Sequence, residues 1–167
     1  MENRIFRVLF VCTGNSCRSP MAEWILKDLL QERGIRGIVV ESAGTMAPVG
    51  MPPTNDANLV MTERGIDISS HRAKLLTGQI VDRADLILVM EKAHKRFVES
   101  ISERVDEKVF LLRVYGRWGL DEEIDDPIGR DLDFYRSCRD ELEAEIRRIL
   151  PMMVERPGEN KEEFHSH

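Results

Sequence analysis

A chain of 167 residues is the size of one domain, long enough to bury a core without a metal or disulfide framework. Its 24 Lys and Arg against 30 Asp and Glu give a formal charge of −6, which argues against nucleic-acid binding and requires any phosphate site to be built locally from aimed donors. The three cysteines, Cys12, Cys17 and Cys138, are too few for a disulfide scaffold; no apolar run approaches a membrane span, and the apolar stretch from Phe6 to Val11 is too short for a signal segment, so a cytoplasmic protein without membrane partners is expected.

Val8 to Val11 is a continuous apolar run, as in a buried parallel strand. A polar turn, Cys12 to Arg18, follows it. Ser19-Pro20 then predicts a helix start, with Ser19 as N-cap and Pro20 at the first helical position. Met21, Trp24, Ile25, Leu26, Leu29 and Leu30 continue at helical spacing, and Gly34 suits the stop. Gly37 to Glu41 predicts a second strand, and Thr45 to Pro53 a Gly/Pro-bearing loop. A helix is expected from about Thr54 to Arg64, closed by Gly65. Leu86 to Met90 is a buried strand, Lys92 to Ser100 a helix and Val109 to Leu112 a short strand. An acidic loop runs from Trp118 to Arg130. Leu132 to Leu150 is a long helix with Phe134, Cys138, Leu142, Ile146 and Leu150 on one stripe. One domain over residues 1–155 and a polar tail over 156–167 complete the chain. Strands alternating with helices give an α/β domain with a parallel sheet, whose sites form at the carboxyl ends of strands.

The Cys12–Arg18 turn sits at such an end and carries the chemistry: Cys12-Thr13-Gly14-Asn15-Ser16-Cys17-Arg18-Ser19-Pro20. Phosphoryl transfer to sulfur needs a thiolate at neutral pH. A short loop entering a helix N-terminus supplies convergent backbone N–H groups and a positive dipole end. Gly14 lets the loop curl close to its ligand, and the planar fork of Arg18 holds two oxygens. The field that binds phosphate also favours thiolate over thiol, so one loop activates the nucleophile and stabilises transition-state charge. A bland alternative, with Cys12 at a strand end and Arg18 on a surface helix, ignores the combination of strand, loop, Arg, Ser-Pro and helix. The loop lacks the Gly-Lys-Ser/Thr of an NTPase. Cys12 and Cys17 do not have a common zinc spacing, and His71, His94, His165 and His167 are scattered, so no metal or other cofactor is expected. A departing group leaves better protonated, so a carboxylic acid should face the thiolate. The acidic loop offers several; Asp125 and Asp126 are the rivals, and Pro127 stiffens the chain after Asp126.

From about Arg7 to Leu150 the chain resembles the low-molecular-weight protein tyrosine phosphatase family. That family carries V-C-x-G-N-x-C-R-S-P near its N-terminus, here Val11 to Pro20, and a late Asp-Pro, here Asp126-Pro127. The resemblance implies a four-stranded parallel twisted sheet flanked by helices on both faces, Rossmann-like. It implies Cys12 as nucleophile, Arg18 as phosphate-binding residue and Asp126 as general acid. The phosphate-binding loop is then Thr13, Gly14, Asn15, Ser16, Cys17 and Ser19, with the Ser19 hydroxyl on the thiolate. Asn15, Ser42 and His71 fall on a buried network bracing that loop. The implied reaction is hydrolysis of a phosphorylated protein through a cysteinyl phosphate. Cys17 reads equally as a buried small residue or as a thiol that traps oxidised Cys12; Cys138 reads as core.

Family members wall their pocket with bulky or aromatic side chains, which suit a phenyl ring. Here Thr13 stands where many have a bulky aliphatic, Ile128 follows Asp-Pro where an aromatic is usual, and Met46 lies in a loop without aromatics. Thr13 resembles the protein-arginine-phosphatase branch, whose motif begins Cys-Thr-Gly-Asn, while Ile128 departs from it. Phosphotyrosine is the first expectation, phosphoarginine the second. A thiol-dependent arsenate reductase would need further cysteines mid-chain, and none lies between Cys17 and Cys138. A non-catalytic phosphate-binding module has no need of both Cys12 and the acid, and both are present.

Overall fold

The computed structural model describes residues 4–118 and 122–155; the expected polar tail at 156–167 lies outside the described residues. Four strands, β1 (Phe6–Cys12), β2 (Ile38–Gly44), β3 (Leu86–Val89) and β4 (Val109–Leu111), form one parallel sheet in the order β2-β1-β3-β4. Among the described residues five helices accompany it: α1 (Arg18–Glu32), α2 (Asn55–Thr62), α3 (Gly78–Arg83), α4 (Lys92–Ile101) and α5 (Leu132–Val154).

Side chains of a strand alternate between faces, and β1 divides accordingly. Val8 and Phe10 pack into a core with Met21, Leu26, Val60, Leu142 and Ile146, contributed by α1, α2 and α5. Leu9 and Val11 pack into a second core with Ile80 and Val81 of α3 and Val98 of α4. The sheet is thus covered on both faces, and β1 has no exposed face at Val8 to Val11. Each fully buried side chain of this kind stabilises the fold by about 2 kcal/mol.

Several elements differ from the sequence-based expectation. The N-cap of α1 is Cys17, the helix begins at Arg18, and Pro20 is its third residue, not its first. Ser19 is inside the first turn, so its hydroxyl is free for the nucleophile. β2 continues past Glu41 to Gly44, because pairing with β1 runs in register to Cys12↔Gly44. α3 was not expected from the sequence; its six residues are capped by Thr77, whose hydroxyl accepts from Ile80 N–H. α5 passes Pro151 and ends at Val154, which buries Met153. On its stripe Tyr135, not Phe134, is the buried aromatic; Phe134 lies under the Arg130 guanidinium. Thr54, expected to open the helix, is the N-cap of α2, and Gly34 and Gly65 take the left-handed conformation after α1 and α2.

The parallel arrangement brings four carboxyl ends together. Cys12 ends β1, Gly44 ends β2, and Met90-Glu91 and Leu112 follow β3 and β4.

Candidate active site

Cys12 is the last residue of β1, and the chain then wraps through 13–17 into α1. Its sulfur receives Asn15 N–H at 3.3 Å and lies 2.9 Å from Ser19 Oγ. The tight turn is made at Asn15, which has φ 52°, whereas Gly14 has an ordinary φ. The left-handed conformation in the loop belongs to Asn15, a residue type whose side chain can stabilise it locally.

That side chain is fully buried and fully engaged. Asn15 Oδ1 accepts from Lys74 N–H at 2.9 Å, and Asn15 Nδ2 donates to Ser19 Oγ at 2.8 Å and to Ser42 Oγ at 2.9 Å. With both amide protons spent, Ser19 Oγ accepts from Asn15 and its own proton is left for Cys12 Sγ. Ser42 in turn donates to Glu23 Oε1 at 2.6 Å, and Glu23 pairs with Lys27. His71 Nε2 meets Asn15 O at 2.9 Å. Asn15, Ser42 and His71 thus meet around the loop, and Glu23 and Lys74, which sequence reasoning did not single out, complete the network. Gly44 allows the closest approach: a Cβ there would lie 2.5 Å from Thr13 O and 2.9 Å from Asn15 N.

Arg18 is buried at the start of α1. Its NH1 donates to Ile124 O at 2.7 Å and its NH2 to Glu91 Oε2 at 2.9 Å; Asp126 Oδ2 stands 3.5 Å from NH2. Burial works against the guanidinium charge, but Cys12, Asp126 and Glu91 outweigh it and leave Arg18 raised. Both terminal nitrogens of Arg18 are thus held by protein acceptors. Ile124 N–H in turn donates to Met90 O at 2.9 Å, so the acidic loop is tied to the end of β3. Of the two rival aspartates Asp126 is the one that pairs with Arg18, beside Glu91, and its Oδ1 accepts from Ile128 N–H at 3.1 Å.

Cys17 Sγ points to Thr54 Oγ1 at 3.4 Å and Tyr135 OH at 3.5 Å, with Ser16 Oγ at 3.8 Å. Burial pushes this thiol up, although the three hydroxyls oppose it. Ser16 O accepts from Thr54 N–H at 3.1 Å, which fixes the loop to the cap of α2. Thr13 O accepts from Met46 N–H at 2.9 Å. Cys138 is buried, and its thiol, raised by burial, is core.

Glu91 and His94 also escaped the sequence reading, which took Lys92 to Ser100 as a helix and His94 as one of four scattered histidines. The available signal was position: both follow the carboxyl end of a parallel strand. Met46, beside the loop, is 76% exposed, and Ile128, after Asp126-Pro127, is 58% exposed. Among the described residues no group of His, Cys, Asp and Glu is arranged to hold a metal, and no helix is long and apolar enough to cross a membrane.

With thiol, donors, guanidinium and carboxylate converging, this arrangement is suited to an oxyanion attacked by sulfur. A family model described as low molecular weight phosphotyrosine protein phosphatase matches residues 7–160. A protein-arginine-phosphatase of Geobacillus stearothermophilus is 38% identical over 144 residues, covering 86% of this chain and 93% of its own. A probable low molecular weight protein-tyrosine-phosphatase, EpsP of Ralstonia nicotianae, is 39% identical with the same coverage. The crystal structure of a low molecular weight protein tyrosine phosphatase from T. tengcongensis matches with a TM-score of 0.82 at 40% identity, over 88% of this chain and 99% of that one.

Proposed function

The chain belongs to the low-molecular-weight phosphotyrosine protein phosphatase family, a family of cysteine-dependent hydrolases, and from that premise we propose that Cys12 is its nucleophile, Arg18 its phosphate-binding residue and Asp126 its general acid. The observation that carries this reading is the Cys12 sulfur at a strand end, receiving Asn15 N–H and the Ser19 hydroxyl, with Arg18 opening the next helix.

The sulfur attacks phosphorus as the bond to the departing group breaks, and Asp126 gives that group its proton. Backbone N–H groups of residues 13–17 and Arg18 hold the three outer oxygens through the transition state. Water, deprotonated by the same Asp126 carboxylate, then cleaves the S–P bond and releases phosphate. Glu91 and Ile124 O keep Arg18 aimed without reorganisation. A thiol nucleophile suits a reducing, cytoplasmic setting.

Phosphotyrosine on a protein is the first substrate reading, from the family. Phosphoarginine is the second, favoured by Thr13: a hydroxyl replaces an apolar wall beside Cys12, and relatives with 38% and 37% identity are named protein-arginine-phosphatases. Rates on matched phosphotyrosine and phosphoarginine peptides, measured for the wild type and Cys12→Ala, test both points. Cys12→Ala should lose turnover of both and keep phosphate binding, because the N–H groups and Arg18 remain. Residual turnover in Cys12→Ala would remove Cys12 from the reaction.

A further inference from the structure

Lys74 holds the phosphate loop with its backbone and the sheet with its side chain. Its N–H donates to Asn15 Oδ1 at 2.9 Å, and its C=O accepts from Gly44 N–H at 2.9 Å. Its Nζ donates to Glu41 Oε2 at 2.9 Å. Glu41 also takes the Arg83 guanidinium at the end of α3, with Nε on Oε1 at 3.0 Å and NH2 on Oε2 at 2.7 Å. One carboxylate of β2 thus fastens two cations, and one of them belongs to the segment that braces the loop. The Glu41 side chain is 17% exposed, against 40% for Lys74 and 48% for Arg83. Burial works against its charge, but the bonds from Arg83 and Lys74 outweigh it and hold the carboxyl below its usual range.

Asn15 is where that fastening reaches the sulfur. Its backbone N–H donates to Cys12 Sγ, and its side chain holds Ser19, whose hydroxyl is left to donate to the same sulfur. Asn15 has φ 52°, a conformation that persists in a residue other than glycine only where the surroundings fix it. Lys74 N–H is one of those surroundings. A Lys74 released from Glu41 lets Asn15 relax, and an N–H donor already 3.3 Å from sulfur has little distance to lose. We propose that Glu41 is a positioning residue: through Lys74 it keeps Asn15 on the Cys12 sulfur, and so sets how readily that sulfur becomes a thiolate. The inference rests on the phosphatase reading of the Cys12 site and adds to it a residue that acts through another.

The test is the pH dependence of Cys12 alkylation by iodoacetamide, which reacts with the thiolate and not the thiol. It is followed on the Cys12 peptide by mass spectrometry in the wild type, Glu41→Met, Lys74→Met, the double variant and Lys74→Arg. Field and position predict different signs. Glu41→Met removes a negative charge, which by field alone favours the thiolate; Lys74→Met removes a positive one, which by field alone disfavours it. A loosened Asn15 disfavours the thiolate in both. The midpoint should therefore move to higher pH in both single variants, by about half a pH unit, and no further in the double variant, because both break the same tie. The kcat/KM for an aryl phosphate should fall about three- to tenfold alongside, the size of one hydrogen bond. Lys74→Arg keeps charge and reach and should stay within about twofold of the wild type. If Glu41→Met does not fold, Glu41→Gln carries the same expectation. A midpoint that falls in the Glu41 variant and rises in Lys74→Met would mark a bare field effect and overturn the proposal. Unmoved midpoints, additive shifts in the double variant, or a Lys74→Arg that behaves like Lys74→Met would overturn it too. Alkylation needs no turnover, so a wild type that hydrolyses no aryl phosphate would sink the phosphatase reading while the midpoints still decide the part played by Glu41.

Discussion

Asp125 and Asp126 are adjacent in the chain and face different partners. Asp126 Oδ2 lies 3.5 Å from Arg18, while the charge of Asp125 acts on Glu141 of α5. Burial pushes the Glu141 carboxyl up, with Arg113 opposing and Asp125 adding to the rise. If Asp126 protonates the departing group, Asp126→Ala should slow a phenyl phosphate with a poor leaving group by about 10²–10⁴-fold. It should slow one with a strongly acidic phenol far less, and Asp125→Ala should show no such contrast. The ratio of the two losses is the readout; a leaving-group-dependent loss in Asp125→Ala would shift the acid by one residue. At this scale the motif residues were legible because the chemistry limits the choices: few side chains attack phosphorus, and few fork onto two oxygens. Glu91 and His94 were not legible, since a charge and a histidine at a helix start have the same sequence signature whether they face solvent or Arg18. The left-handed turn at Asn15 was not legible either, because αL tolerance is shared by Gly and Asn and the loop's bonds to Lys74, Ser42 and Ser19 hold it at Asn15.

β2 and α4 carry the loop's outer supports. Gly44, the last residue of β2, sits where a methyl would meet Thr13 O at 2.5 Å. Gly44→Ala should therefore lose stability by about 1–3 kcal/mol, as overpacking does, and weaken phosphate binding by displacing the loop. Calorimetric titration with phosphate checks this, and wild-type affinity in a folded Gly44→Ala would show that the close approach is not what shapes the site. α4 contributes an acid sensitivity. Burial, then the Arg18 charge, push the His94 imidazole down: the unfolded chain protonates it near 6.5 and the folded chain only near 4, so between those values the unfolded state binds more protons. The stability that His94 contributes by staying neutral is present above 6.5 and is lost as pH falls toward 4, by about 3 kcal/mol in full. His94→Gln should flatten that part of the dependence of unfolding free energy on pH. Identical slopes for both proteins between pH 7 and 4.5 would place the acid sensitivity elsewhere. The elements themselves were legible to within a few residues where periodicity was long, as in α1 and α5. α3 was missed because six residues give less than two turns of pattern, and the N-terminus of α1 was displaced because Pro tolerates any first-turn position, where its missing N–H costs nothing.

Across the molecule, a four-stranded parallel sheet buried on both faces makes the carboxyl edge a place where the ends of all four strands come together. β1 delivers Cys12, the loop after β3 delivers Glu91, and the chain returning before α5 delivers Asp126, so the site draws on segments more than a hundred residues apart in the sequence. That convergence follows from the parallel strand direction, which alternating strands and helices imply, whereas the brace from Lys74 and the clamp from Ile124 O depend on loop backbones that no side-chain pattern reports. The proposed reaction turns on a covalent bond between Cys12 and the transferred phosphoryl group. Mixing enzyme with an aryl phosphate, quenching in denaturant within the first turnovers and mapping peptides by mass spectrometry tests it directly. That reaction requires one phosphoryl group on the peptide carrying Cys12, and none there in Cys12→Ala. Steady turnover with no phosphoryl group on Cys12, or with the group on another residue, would contradict it.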